Sequence, residues 1–470
     1  MITVLLVNPP DKEILNKIAP VDLASIASSL EENGVSVKII DFNVENKALE
    51  QWLSLYQPKF LGISGTTHNR FESFRLANIA KTYNKEIITI YFGIHATFTA
   101  DETLRNIADI DFIIRGESEE IFIELLKTFS GDQKFEKIRG LSFRMDDTIV
   151  DNPPASRLHL DSLPLPAYHL LDMRKYGLKM DFIKKRGTVI YSSRGCLHHC
   201  SFCMESRMFN NLLTVRSAKS VVDEIKKLLN EYNFQAIKFA DCVLTLDREH
   251  IEGLCDEIIN NNLNFPWECE IRPGTVDEFL LEKMQKAGCY YVGIGIESAS
   301  QKVLDIMRKG ITVEQTKKLL EMCHHLGIKT KVFFSFGHIS ETISDVEKTF
   351  EFIATNKSLI TNPQYTVGVR IYPGTYLETY ARKNNLLPGD FCWSKPYEEP
   401  KNKTIMQPTN IPILIQPQLG YAELESIALR IYSERISGWE GLRTGITKLT
   451  QPEKLKKFRQ FLRLKFKKIK

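Results

Sequence analysis

The sequence predicts an α/β protein: a doubly wound parallel sheet, then a six-stranded partial barrel of βα units, then a helical C-terminal region. Two separate alternations of apolar strands and amphipathic helices carry this prediction. A third observation is that the alternation stops after about residue 385. The 470 residues are too many for one core. We therefore expect four segments, at 1–130, 131–185 (a connector), 186–385 and 386–470.

The first alternation predicts a Rossmann-like domain. Apolar runs followed by glycine, proline or polar residues indicate its strands, and stretches of helical period at 21–33, 75–83, 101–107 and 119–129 indicate its helices. Such a sheet binds ligands beyond the carboxyl ends of its strands. The predicted strands are 3–7, 35–41, 60–64, 87–92 and 111–115.

The second alternation contains six predicted strands with amphipathic helical patterns between them. Six βα units fit a partial, TIM-like (β/α)6 barrel, in which chemistry lies at the carboxyl ends of the strands. The predicted strands are 188–192, 236–240, 267–271, 291–296, 330–336 and 365–371.

Charge and targeting features narrow the class of protein. The net charge is +4, but residues 454–470 alone hold nine Lys or Arg and no acid, so the rest of the chain is mildly acidic. Nothing in that body suggests a nucleic-acid-binding face. The chain opens on a strand pattern without a basic leader, and its apolar runs are far shorter than a membrane span. We expect a cytoplasmic protein.

Three of the nine cysteines fall within eight residues, directly after the first strand of the second alternation. Cys196, Cys200 and Cys203 have the spacing CxxxCxxC, which indicates metal ligands in a reducing compartment. A four-iron cluster needs four ligands, so three cysteines leave one iron open to an exogenous chelator. The alternative is a structural zinc site completed by His198 or His199.

A CxxxCxxC loop after the first strand of a six-stranded partial barrel resembles the radical S-adenosylmethionine superfamily. The resemblance implies a [4Fe–4S] cluster on the three cysteines, with S-adenosylmethionine chelated to the fourth iron. One electron then breaks a carbon–sulfur bond and yields a 5′-deoxyadenosyl radical. It also implies an electron donor such as a flavodoxin or ferredoxin.

Later strand ends match the branch of that superfamily with an N-terminal cobalamin-binding domain. Asp241, after the second barrel strand, resembles an acid that lies near the methionine amino group, with Cys242 where the family has a second acid. Arg272 follows the third strand and could pair with a carboxylate. Glu297, in Gly295-Ile296-Glu297, resembles the acid that faces the bound nucleoside. The resemblance thus implies that Asp241, Arg272 and Glu297 bind S-adenosylmethionine or substrate.

The first domain matches the same branch at its strand ends. Glycines there let the backbone approach a large flat cofactor. No Asp-X-His-X-X-Gly motif supplies a histidine to cobalt, so the resemblance implies cobalamin held without one. The implied cofactor-binding residues are Asn8, Ser64, Gly93, His95, Gly116 and Glu117.

The resemblance implies two reaction classes. One is methyl transfer through cobalamin to an unactivated carbon or phosphorus of a small-molecule or lipid-like substrate. The other is cyclisation, rearrangement or oxidation without methyl transfer. Methylthiotransferases acting on transfer RNA are excluded, because they need cysteines in the first domain and residues 1–195 have none. The basic residues of 454–470 form an amphipathic stripe that could contact a membrane surface, or simply a solvated terminal helix.

Overall fold

A computed structural model describes residues 3–11, 17–131, 134–397 and 410–436. Within these ranges, two seven-stranded sheets and one two-stranded sheet are flanked by α-helices. The α/β class predicted from the sequence is confirmed. None of the helices in the described ranges has the length and apolar character needed to cross a membrane.

The first large sheet has the order β2-β1-β3-β4-β5-β6-β7. Its first five strands are parallel, and β6 and β7 add antiparallel to its edge. The antiparallel pair extends this sheet into the segment predicted as a connector. Its strands are β1 Val4–Asn8, β2 Val37–Asp41, β3 Phe60–Ser64, β4 Ile88–Phe92, β5 Phe112–Ile114, β6 Leu141–Met145 and β7 Thr148–Asp151.

Helices cover both faces of the first sheet. Leu6 on β1 packs into one apolar core, and Leu5 and Val7 pack into another on the opposite face. Strands buried on both faces read as continuous apolar runs, which is why the sequence predicted them well. The helices are α1 Val21–Glu32, α2 Leu49–Tyr56, α3 Arg70–Tyr83, α4 Ile94–Asn106 and α5 Glu119–Phe129.

The second large sheet has the order β16-β15-β14-β13-β12-β9-β8 and forms the predicted partial barrel. Six strands are parallel, and β8 adds antiparallel at the edge. The two-stranded sheet, β10 with β11, follows β9. The strands are β8 Leu178–Lys179, β9 Arg186–Ile190, β10 Ser193–Gly195, β11 Leu213–Val215, β12 Ala236–Phe239, β13 Trp267–Ile271, β14 Cys289–Glu297, β15 Lys329–Phe336 and β16 Asn362–Val367.

Helices pack on the outer face of the barrel. Ile237 and Phe239 on β12 join the core beneath them, whereas Lys238 lies on the opposite, inner face. This alternation follows from the two-residue period of a strand. The helices are α6 Glu205–Met208, α7 Ala218–Asn230, α8 Arg248–Asn260, α9 Glu278–Lys286, α10 Gln301–Ile306, α11 Val313–His325, α12 Ile343–Thr355, α13 Tyr376–Lys383 and α14 Tyr421–Ile436.

Some elements differ from the prediction. Helix α4 begins at Ile94, although the sequence predicted a helix only from residue 101. Gly93 ends the preceding strand with φ +102°, and its carbonyl accepts the Thr97 N–H, which starts the helix at once. Helix α2 was not predicted at all. The basic stretch at 454–470 lies outside the described residues.

Candidate active site

A cavity of about 510 Å³ lies where the carboxyl edges of the two large sheets meet. Ligands of parallel sheets bind at such edges. Gly195, which precedes the first predicted cluster ligand, is part of its wall. Glu205, which follows the cysteine loop, is also part of the wall, whereas the predicted residues Cys196, Cys200, Cys203, Arg272 and Glu297 are not among the residues that line it. The predicted site residues that line it are Asn8, Ser64, Gly93, Gly116, Glu117 and Asp241.

The cysteine loop leaves β10 through a turn that only glycine fits. Gly195 has φ +97°, and a Cβ there would lie 2.0 Å from the Leu212 carbonyl oxygen. Cys196 is buried, and Cys200 and Cys203 are partly buried and carry free thiols. The Cys203 N–H donates to the Cys200 carbonyl, which closes the loop. Burial raises the pKa of the Cys196 and Cys203 thiols, so a positive ligand would be needed to hold them as thiolates.

The surroundings of this loop suit an anionic or cluster ligand. Arg272 is 5% exposed, and its Nη1 lies 3.9 Å from the Cys200 sulfur. Its Nη2 is buried and has no hydrogen-bond partner. Within the described ranges, no three His, Cys, Asp or Glu side chains are placed to hold a single metal ion. A cube of four irons separates its ligands more than one ion does, so the three-thiol loop fits a cluster better than zinc.

Asp241 ties the first two barrel strands together. It is 2% exposed and accepts hydrogen bonds from the Ser192 N–H, the Ser192 hydroxyl at 2.8 Å and the Ser193 hydroxyl at 2.6 Å. His250 Nε2 lies 2.8 Å from the same Ser192 oxygen. Burial raises the pKa of Asp241 despite these donors. The carboxylate thus positions the strand that leads into the cysteine loop, while its contact with cofactor stays a prediction.

Glu297 lies at a bulge of β14 in a left-handed conformation, φ +68°. Its carboxylate pairs with Lys309 at 3.1 Å and accepts the Ser335 hydroxyl at 2.8 Å. Burial opposes ionisation, but the Lys309 charge and the Ser335 donor lower the pKa of Glu297 overall. A carboxylate held ionised at a strand end can still accept from ribose hydroxyls.

Lys309 and His338 connect Glu297 to the cysteine loop, and neither was predicted as a site residue. His338 Nε2 lies 2.7 Å from the Ser335 hydroxyl oxygen, and its ring packs against Phe202 of the cysteine loop. Burial lowers the pKa of His338 to about 4, which keeps it neutral. Lys309 lies over the Phe202 ring. Both residues contact Phe202, which lies far earlier in the sequence, so no local sequence pattern indicates these contacts.

Predicted residues of the first domain form the opposite wall. The Asn8 amide donates to Asp41 at 3.0 Å and accepts the Ser64 hydroxyl at 3.3 Å. Gly93 approaches the Gly65 backbone closely, since a Cβ would lie 2.9 Å from its carbonyl oxygen. Gly116 has φ +83° and open space around it. Small side chains and bare backbone thus leave room at this edge.

His95 does not line this cavity. Its side chain is fully buried, with Nδ1 3.1 Å from the Thr67 hydroxyl and its ring against Trp393. Burial keeps its pKa well below the usual range. The predicted cofactor contact of His95 is therefore not supported by this geometry, because the helix that starts at Ile94 turns the side chain into the core.

Arg194 links the two walls. It lies directly before Gly195 and pairs with Glu119 at 2.6 Å and Glu117 at 3.2 Å. Arg157 also pairs with Glu117, at 2.9 Å. Burial opposes the charge, yet the two acids raise the pKa of Arg194 further. The predicted residue Glu117 is thus engaged with arginines that hold the cysteine loop against the first domain.

Cys242 stands at the cavity wall where the family has an acid. Its thiol donates to Glu205, which is also part of the wall and follows the cysteine loop. Burial raises the pKa of Cys242. The protein therefore has a protonated thiol beside a carboxylate at this position, which the sequence indicated only as a departure from the family pattern.

Comparisons with known proteins agree with this arrangement. Residues 190–353 match the radical SAM superfamily, and residues 12–126 match the B12 binding domain. A Pyrococcus horikoshii protein described as an uncharacterized methyltransferase is 33% identical over 82% of this chain and 84% of its own. An anaerobic magnesium-protoporphyrin IX monomethyl ester cyclase of Rubrivivax gelatinosus is 29% identical over 72% of this chain and 62% of its own.

Solved structures share the fold. The radical S-adenosylmethionine methyltransferase TsrM from Kitasatospora setae, solved with cobalamin and a [4Fe–4S] cluster, matches with a TM-score of 0.68 and 21% identity. The match covers 83% of this chain and 80% of that one. At this identity the likeness concerns the fold alone. Together with the cysteine loop and the extended match to the P. horikoshii protein, it identifies the chain as a member of the radical SAM superfamily, in the branch that carries a B12-binding domain.

Proposed function

We propose that this protein is a cobalamin-dependent radical S-adenosylmethionine methyltransferase acting on an unactivated carbon of a small-molecule or lipid-like substrate. The observation that carries the proposal is the cavity between Gly195 and Glu205, which flank the cysteine loop, and the carboxyl edge of the B12-binding domain. One wall offers the Cys242 thiol and charged side chains such as Arg194 and Glu205, and the other offers glycines and small polar groups. That division suits a cluster on one side and a large flat cofactor on the other.

Each residue of the loop side has a distinct role in this proposal. Cys196, Cys200 and Cys203 would hold the [4Fe–4S] cluster. The unpartnered Nη2 of Arg272 would take a carboxylate, and the ionised Glu297 would accept from nucleoside hydroxyls. When bound, the reduced cluster supplies the electron that cleaves S-adenosylmethionine, and cobalamin carries the methyl group. The wall of Asn8, Ser64, Gly93 and Gly116 would leave space for that cofactor.

The test is anaerobic reconstitution, with iron, cobalt and S-adenosylmethionine cleavage measured together. We expect Cys200→Ala to lose bound iron and all cleavage. The matched control is Cys392→Ala, because Cys392 is also partly exposed but contacts Glu102 and Ser394 instead of the cavity. Full cleavage by Cys200→Ala would overturn the central assignment.

The second candidate is cyclisation or oxidation without methyl transfer, which the 29% identity to the Rubrivivax cyclase favours. The two candidates differ in their by-products. Methyl transfer through cobalamin produces S-adenosylhomocysteine as well as 5′-deoxyadenosine during turnover. A turnover mixture that contains 5′-deoxyadenosine and no S-adenosylhomocysteine would remove methyl transfer.

The proposal also needs a reducing setting. All nine cysteines are free thiols in the structure, which suits the cytoplasm. An external one-electron donor such as a flavodoxin or ferredoxin would reduce the cluster. Replacing a chemical reductant by either protein in the cleavage assay would test this part directly.

A further inference from the structure

The inner face of the partial barrel carries charged side chains below the level of the cysteine loop. On β12 and β13 the outward residues Ile237, Cys269 and Ile271 enter the helix-covered core. Between them, Lys238 on β12 and Glu268 and Glu270 on β13 lie on the other face. On β15, Lys331 occupies the same face, between outward residues of the core. We call this face, with Lys238, Glu268, Glu270, Lys331 and Phe333, the lumen.

The charges of the lumen are unevenly paired. Lys238 Nζ lies 3.7 Å from Glu268 and 3.5 Å from Glu270, so one cation serves two carboxylates. The Glu268 carboxylate also accepts the Tyr290 hydroxyl at 3.2 Å. Among the described residues, Lys238 is therefore the one cation within ion-pair distance of these two acids.

The opposite side carries Lys331, whose charge acts on Glu268 from beyond ion-pair distance. Lys331 Nζ lies 5.5 Å from the Phe333 ring centre, and no acid among the described residues comes within ion-pair distance of it. Between the two sides runs β14, where Gly293 and Gly295 present no side chain to the lumen. The Glu270 carboxylate lies over Gly293, since a Cβ there would be 1.8 Å from its Oε2. Glycine at this position therefore leaves room for the Glu270 carboxylate beside β14.

The lumen also has a fixed depth relative to the cysteine loop. Glu270 precedes Arg272 by two residues, and Lys331 precedes Ser335 by four, along strands that run towards the cavity. At about 3.3 Å per residue, the charged groups lie roughly 7–13 Å deeper than the groups around the cysteine loop. A molecule bound by its charged end here would direct an aliphatic carbon towards that loop.

We propose that the lumen binds the substrate as a small zwitterion, with its ammonium group at Glu270 and its anionic group at Lys331. This inference rests on the proposed function, because it places the reacting carbon near the cluster. It favours an amino-acid-like substrate over the lipid-like one that the sequence left open. An apolar substrate would desolvate these charged groups and leave Lys331 without an ion-pair partner, which is costly.

The test uses three probes of equal chain length: norleucine as a zwitterion, hexanoate as an anion and hexylamine as a cation. Binding to the reconstituted holoenzyme is measured by calorimetry without reductant, so no turnover is needed. We expect norleucine to bind most tightly. Lys331→Met should weaken norleucine and hexanoate about tenfold and leave hexylamine unchanged, whereas Glu270→Gln should weaken norleucine and hexylamine only.

Matched controls are Lys317→Met and Glu321→Gln, which remove the same charges from an exposed pair on α11. Lys331→Arg should retain norleucine binding, which separates loss of charge from loss of folding. Equal affinities for the three probes, no binding of any of them, or unchanged affinities in both lumen variants would overturn the inference. Loss of methyl transfer with this binding pattern intact would overturn only the proposed function.

Discussion

The two large sheets differ in how many of their faces are covered. The first sheet has helices on both sides and two apolar cores, so only its carboxyl edge is free for a ligand. The second sheet has an apolar face towards its helices and a charged face towards the lumen. One sheet can therefore offer glycines and backbone at an edge, while the other can place charged side chains both at its edge and inside its curve.

The largest effect should come from the edge of the second sheet. In Gly195→Ala the positive φ costs about 1–3 kcal/mol, and the new Cβ would overlap the Leu212 carbonyl oxygen as well. We expect the reconstituted variant to hold little iron and to cleave no S-adenosylmethionine. Iron content and thermal melting measure this. An iron content equal to that of wild type would mean that the loop does not need this turn.

Breaking the buried ion pair between Lys309 and Glu297 should have the second largest effect. Lys309→Met leaves the Glu297 carboxylate buried without its cation, which should lower the free energy of unfolding by about 3–5 kcal/mol. Urea unfolding at neutral pH measures it. The control is Arg75→Met, whose exposed pair with Glu72 should contribute less than about 1 kcal/mol. Similar losses of unfolding free energy in both variants would show that the buried Lys309–Glu297 pair contributes no more than an exposed pair.

A smaller effect should appear as a pH dependence at Glu341. Burial raises the pKa of this fully buried carboxyl to about 7, against donation from the Gly337 and His338 N–H groups. An acid with a raised pKa takes up a proton on folding. The destabilisation of the folded state that follows is absent below the unfolded pKa of about 4.5 and grows until the pH reaches about 7.

We therefore expect the free energy of unfolding to fall by about 1–3 kcal/mol over that window through Glu341 alone. Glu341→Gln should remove this component and flatten the pH profile between about pH 4.5 and 7. Urea unfolding at several pH values measures it. A profile in the variant as steep as that of wild type would contradict the assignment.

The smallest effect on folding should come from the edge of the first sheet. Gly116 has φ +83° with nothing within 4 Å of a built Cβ, so Gly116→Ala should cost about 1–2 kcal/mol from the backbone alone. If cobalamin approaches this edge, the variant should also hold less cobalt. Cobalt analysis measures the effect on cofactor binding, and melting curves measure the effect on folding. An unchanged cobalt content would remove Gly116 from the cofactor wall.

Buried strands were the part of the fold that sequence reasoning predicted best. The strands at 60–64 and 267–271 match the observed bounds, because each is an apolar run between breaking residues. Helix α4 was predicted too late, since the helical period in the sequence is evident only from residue 101. Short strands such as β10 and β11 were missed because their pairing depends on residues twenty positions apart.

The residues of the candidate site were also predicted only in part. The cysteine loop was evident from its spacing, and most predicted strand-end residues do line the cavity. Arg194 and Lys309 were missed because their partners come from another domain or another strand end. His95 is buried away from the cavity, and a sequence motif gives the position of a residue but not the direction of its side chain.

The placement of Arg194 has a thermodynamic consequence. Its guanidinium is held by Glu117 and Glu119 of the first domain, and the next residue, Gly195, leads into Cys196. A ligand that tightens the docking of the first domain must therefore also order the cysteine loop. By linkage, occupancy of either half of the cavity should raise the affinity of the other half by the same factor. Cobalamin and the cluster would then load cooperatively, and loss of one would loosen the other.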